Sequence, residues 1–280
     1  MAKGNFIRSL RQLILLTILL IVAGSTYLNR ARSTSWEEPL WVTLYPIVAD
    51  GRQTTTDYID TLTSKNFIAI ERFMEQETRR YAIAIGRPVR IDMGLPISAQ
   101  PPAPPQSGNP LRIALWSFKI CWWANRVTKD QPGARPNIRL FLVYHDPEIH
   151  DRIPHSLGLR EGMLGVAHIF ADRGMQERNN FVIAHEMLHT LGASDKYAMD
   201  SNLPIFPIGY AEPDRAQRYP QRFAEIMGGQ IPVSDTEAVM PDSLKQVRVG
   251  RETALEIRWL DSLKKEPVKL SRADGQVVSK

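Results

Sequence analysis

The stretch from Asn180 to Tyr197, NFVIAHEMLHTLGASDKY, restricts this chain more than any other part of it. Within it His185, Glu186 and His189 form an HExxH pattern, and Gly192 and Asp195 follow. Residues four apart share one face of an α-helix, so a helix here presents two imidazoles to one ion. Zinc takes neutral imidazole nitrogen and carboxylate oxygen in a tetrahedral shell, and an open site keeps its fourth position for water. Glu186, beside the first histidine, is placed to reach that water as a general base. Asn179 or Asn180 can cap the helix, and Phe181, Val182, Ala184, Leu188 and Leu191 give it an apolar surface. Gly192 suits the left-handed position that closes a helix. The turn it makes brings the chain back toward the ion, and Asp195 is the first strong ligand met there. The competing reading is a core helix with two satisfied histidines and a solvated Glu186. The cap, the glycine stop and the further carboxylate weigh against it.

HEMLHTLGASD resembles the zinc-binding signature of the metzincin metallopeptidases. Most of that group carry histidine where this chain has Asp195, and the snapalysin-like minority is similar to it in using aspartate. The resemblance implies Zn²⁺ held by His185, His189 and Asp195, Glu186 as general base, and a protein or peptide substrate. It also implies a methionine turn beneath the metal. Ala224 to Gly229 looks like that turn and gives the role to Met227, with Met240 as a second candidate. The implied fold is a mixed α/β (α+β) zincin-like domain with an active-site helix. The implied activity is that of a zinc-dependent endopeptidase. Two other readings stand beside it. Glu225 replaces Asp195 as third ligand in one. In the other, the chain is a non-catalytic, membrane-tethered zinc-binding protein, and His168 or a loop histidine closes a four-ligand structural site.

The N-terminus places the domain. Lys3, Arg8 and Arg11 precede the apolar run Leu13 to Ala23, and Arg30 and Arg32 follow it. The residues between Arg11 and Arg30 extend about 27 Å as a helix, marginally enough to span a bilayer. The basic leading end orients the remainder of the chain to the exported, periplasmic or extracellular side. The segment 1–32 is therefore read as a single-pass signal anchor, with a cleaved signal peptide and secretion as the alternative. Residues 33–262 form the metallopeptidase-like domain and 263–280 a basic tail. The net charge of +5 is scattered and no nucleic-acid motif occurs, so nucleic acid is not an expected partner.

Periodicity predicts strands over Trp41–Val48, Val89–Met93, Ile138–Tyr144 and Met163–Phe170. It predicts helices opening near Thr54 and Ser64, the second running to Arg80, and a last helix over Glu252–Leu260. Ser33–Pro39 reads as a linker, and the prolines from Pro101 to Pro110 as an exposed loop. The aromatic run Ile113–Val127 reads as further strand, burying Cys121, the only cysteine. His145–Gly162 reads as a polar loop. By the resemblance, Met163–Phe170 is the edge strand along which substrate would pair, and Tyr197 or Tyr210 is a candidate donor to a developing oxyanion.

Overall fold

The computed structural model describes residues 35–105, 109–150, 152–154, 156–160 and 162–260. The expectations for segments 1–32 and 263–280 lie outside the described residues. Among the described residues no helix is long and apolar enough to cross a membrane.

Five strands form one mixed sheet. They are β1 (Leu40–Val48), β2 (Val89–Met93), β3 (Ile138–His145), β4 (Leu157–Leu159) and β5 (Leu164–Phe170), in the order β2-β1-β3-β5-β4. All neighbours are parallel except β4, which runs antiparallel to β5 with Gly158 opposite Gly165. The central strands are apolar on both faces, as parallel strands covered on both sides must be. Leu44, Leu140, Leu142, Tyr144, Ala167 and Ile169 point into one core. Tyr45, Ile47, Phe141, Val143 and Val166 point into a second.

Helices α1 (Gln53–Asp60), α2 (Ile68–Arg80) and α4 (Gln176–Leu191) lie on the first face, and α3 (Pro110–Val127) on the second. A 3-10 turn, Ser64–Phe67, leads into α2, and Thr63 rather than Ser64 caps it, its amide donating to Asn66 Oδ1 at 2.9 Å. The C-terminal part adds only short pieces: β6 (Ala224–Glu225), β7 (Ile231–Pro232), β8 (Ala238–Val239), β9 (Val247–Arg248) and α5 (Arg251–Glu256).

Several expectations need correcting. Ile113–Val127 is helix, not strand. Asn109 caps it by accepting from the amides of Leu111 and Arg112, and Pro110 occupies its first turn, where no N–H is needed. The segment is apolar on two opposite faces, with its cations confined to one narrow flank, and this blurs the one-sided 3.6-residue signal. Cys121 is accordingly half-buried at the rim of the second core rather than inside it. The short β4, drawn from the supposed polar loop, pairs with residues 164–166 alone, so the first half of β5 is flanked on both sides while residues 167–170 pair with β3 only. Trp36 ends the idea of a free linker: it is buried, donates to the Ile257 carbonyl at 2.8 Å, and meets Trp259 edge-on. The last helix stops at Glu256, because Arg258 turns into positive φ and Trp259 N bonds back to Ala254 O.

Candidate metal centre

Helix α4 begins one turn before either asparagine predicted to cap it. The Asp172 carboxylate accepts from the Met175 amide at 3.1 Å, while Asn179 and Asn180 sit inside the helix. There they fasten it. Asn179 exchanges hydrogen bonds with the backbone of Phe170 on β5, and Asn180 donates to the Asn66 carbonyl at 3.0 Å. The helix ends at Gly192 with φ 106°, its amide bonding to His189 O and that of Ala193 to Leu188 O. The positive φ calls for glycine there, and a side chain at 192 would also have to displace the Arg160 guanidinium.

That turn carries Asp195 back over the helix. His185 Nε2, His189 Nε2 and Asp195 Oδ1 form a near-equilateral triangle, with sides of 3.1 Å between the two nitrogens and 3.2 and 3.1 Å to the carboxylate. Two main-chain carbonyls fix the histidine tautomers: His185 Nδ1 is 2.8 Å from Ile226 O, and His189 Nδ1 is 2.8 Å from Ala193 O. A carbonyl only accepts, so each Nδ1 must carry a proton. In the neutral imidazoles both Nε2 lone pairs therefore point at each other and at an anionic oxygen. Such a triangle repels itself unless a cation sits among its corners, either a proton or a metal ion. Zinc at about 2.0–2.1 Å from each donor leaves donors about 3.3 Å apart in a tetrahedral shell, close to the spacing found here. The three residues are the one group of metal-ligating side chains this tightly convergent among the described residues.

The electrostatics match. Burial pulls the His185 imidazole down, but Asp195 and Glu186 more than reverse it and raise it to about 8. Burial works against the Asp195 carboxylate too, yet the two imidazoles hold it far below the usual range. Glu186 is 5% exposed, and its Oε2 is buried with no hydrogen-bond partner. Burial pushes its carboxyl up, against the pull of His185 and His189. A buried carboxylate oxygen left unpaired is costly, and such groups call for an explanation.

Three carboxylates and a lysine hold this geometry; sequence reasoning named only Glu225 among them, as an alternative ligand. Glu225 is fully buried: Oε2 accepts from Met227 N and Gly228 N at 2.7 and 2.8 Å, and Oε1 from Gly250 N and Thr253 Oγ1 at 2.9 and 2.7 Å. It braces the turn that contains the Ile226 carbonyl, and it is not the third ligand. Met227 is wholly buried in that turn, whereas Met240 is 48% exposed. Glu256 on α5 grips the residues on either side of Asp195. It accepts from Ser194 N at 3.0 Å, Ser194 Oγ at 2.5 Å and Lys196 Nζ at 2.6 Å, and Lys196 N bonds to Met227 O. Glu77, buried on α2, accepts from Val249 N at 2.8 Å and so ties the strand end beside this frame.

His168 is not a fourth ligand. Its Nδ1 lies 2.9 Å from His145 Nε2, outside the triangle. Tyr197 lies beside Asp195, and burial followed by the charges of Asp195 and Glu186 pushes its hydroxyl up to about 12, which keeps it a donor. Tyr210 is spoken for by Tyr219, their hydroxyls 2.9 Å apart. Against the outer side of α4, Gly158 of β4 leaves no space for a side chain: a Cβ there would stand 2.2 Å from His189 Cβ. The edge strand thus lies directly against the helix turn that carries Glu186 and His189. No protein-family model matches this chain, and no curated protein matches it.

Proposed function

We propose that the chain is a zinc-dependent endopeptidase of the metzincin kind, with His185, His189 and Asp195 as metal ligands. One observation carries the reading: two imidazoles with tautomers set by carbonyls, and one carboxylate, converge their lone pairs within 3.2 Å, next to the buried, unpartnered carboxylate oxygen of Glu186. A three-ligand site leaves a position for water, and zinc bound there supplies a Lewis acid that makes that water acidic and polarises a carbonyl. Glu186 takes the proton of the attacking water and passes it to the leaving amine, a task for which a burial-raised carboxyl is suited. Tyr197, protonated near neutral pH, hydrogen-bonds Asp195 and would help to orient that ligand. The unpaired outer edge of β4 offers an extended peptide a strand to lie along. The closed structural site loses support, since His168 is engaged elsewhere.

Zinc content and peptide cleavage of the purified protein, wild type and Glu186→Gln, test this. The variant should keep about one zinc per chain and lose roughly 10²- to 10⁴-fold in turnover, the usual worth of a general base. Wild-type protein that holds no zinc after dialysis against a weak chelator, or equal turnover in the variant, would overturn the reading.

A further inference from the structure

Helix α3 buries one face and is apolar on the opposite face as well. Trp116, Ile120, Trp123 and Ala124 enter the second core. Leu111, Leu115, Phe118 and Trp122 face outward and are 81, 57, 69 and 55% exposed. Their spacing of four, three and four residues makes one continuous stripe, and at about 100° per residue it lies opposite Ile120. The stripe is therefore not the margin of the core. Arg112, Lys119 and Arg126, seven residues apart, run along one flank, and the helix contains no Asp or Glu. The Arg126 guanidinium lies 5.4 Å from the Trp122 ring centroid. Trp41 has the strand parity of Tyr45 and so belongs to the same sheet face. It is 43% exposed, with the Arg90 guanidinium over its ring at 5.1 Å.

A water-facing helix carries charge or small polar groups on this side. Large apolar residues, an outward tryptophan and a one-sided row of cations are instead the composition of helices that lie in the plane of a bilayer surface. The row of cations selects the occupant: it complements lipid phosphates, and each cation near an anionic leaflet strengthens attraction about fivefold. The apolar run Leu13–Ala23 between Arg11 and Arg30 supplies the same chemistry elsewhere in the sequence.

We propose that α3 docks the domain on an anionic membrane surface. Leu111, Leu115, Phe118 and Trp122 enter the upper acyl region, and Arg112, Lys119 and Arg126 engage the phosphates. Because α4 packs on the opposite face of the sheet, docking through α3 leaves the metal-ligand residues on the side turned away from the lipid. The proposal is independent of the peptidase reading.

The test uses the full chain in vesicles of phosphatidylcholine and phosphatidylglycerol. Cys121 is the only cysteine, so Cys121→Ser gives a clean background for a spin label at Phe118→Cys, with Asp57→Cys on α1 as an exposed control. Electron paramagnetic resonance then reads access of oxygen, which concentrates in lipid, and of a water-soluble nickel chelate. At position 118 oxygen access should rise and nickel access fall relative to position 57. Adding Arg112→Glu, Lys119→Glu and Arg126→Glu should restore nickel access to the control level. Nickel access at 118 equal to that at 57 would overturn the proposal. So would low access to both probes, which means cover by protein, either residues 1–34 or a second copy. A lipid signature that survives charge reversal would overturn the assignment to anionic lipid.

Discussion

Asp195 differs in charge from the two imidazoles of the proposed metal site, and that difference should show in zinc binding. Its carboxylate adds a full negative charge to the shell, where a third histidine would add none. Asp195→Asn keeps the size, loses the charge, and places an amide that can donate where a donor is unwanted. Zinc affinity should fall by more than roughly tenfold, the loss expected from merely removing a ligand's support. Competition with a chromophoric chelator measures it, and Glu186→Gln, which removes no ligand, should fall far less. Retained affinity in Asp195→Asn would move the third ligand elsewhere. His185, Glu186, His189 and Gly192 were legible in the sequence because their roles depend on spacing along one helix. The pairing of Lys196 with Glu256, and the bracing role of Glu225 through Gly250 and Thr253, were not, because those partners are remote. Ser194 and Glu256 are 62 positions apart, and nothing local in either segment marks the pairing.

At the scale of elements, the loop that carries Asp195 is held by an ion pair between a buried lysine and a partly exposed glutamate. Lys196 is 1% exposed, and Glu256 is the carboxylate beside its ammonium. Glu256→Gln removes the charge beside the buried ammonium, which keeps its bond to the Ser194 carbonyl, so it should lower unfolding free energy by roughly 1–3 kcal/mol and weaken zinc by about 10- to 100-fold. Lys196→Met added to it should recover stability without recovering zinc, which denaturant titration and chelator competition separate. The same pair predicts a pH dependence. Burial raises Glu256, but Lys196 and Ser194 outweigh it and hold the carboxyl below its ordinary value of 4.5. A depressed folded value means that the stabilisation is complete above the unfolded value and lost as pH falls through the folded one. Urea midpoints should therefore drop below about pH 4.5 in the wild type, and drop less in Glu256→Gln. Gly158→Ala tests the strand-to-helix contact. Its Cβ would overlap His189 Cβ and the Glu186 carbonyl, so a loss of about 1–3 kcal/mol is expected in thermal or denaturant unfolding. Strands β1, β2, β3 and β5 were readable from their β-branched and aromatic runs. β4 was not, because three residues with a central glycine carry no such pattern. Helix α3 was misread because it is apolar on two opposite faces, which leaves only a narrow row of cations to define its period.

For the whole molecule, one sheet separates two kinds of surface. Its first face supports the helix of His185 and His189, and its second supports a helix whose outer stripe has no use inside the domain. A ligand that binds only the folded chain raises its stability by mass action, so zinc at a hundredfold excess over its dissociation constant should add about 2.7 kcal/mol, or roughly 5–10 °C in melting temperature. Calorimetry with and without chelator checks this, and His189→Ala should abolish the difference. The clamp of Glu256 on Ser194 and Lys196 has a further consequence. The two histidines sit on a helix finished by Leu191, but the aspartate is seated by a residue far downstream. A polypeptide nicked or cut short before that last helix keeps the imidazole pair and loses the anchorage of the third donor. Under the peptidase reading, hydrolytic power is then withheld from fragments and from chains still being made, a safeguard against premature self-digestion that needs no separate inhibitory segment.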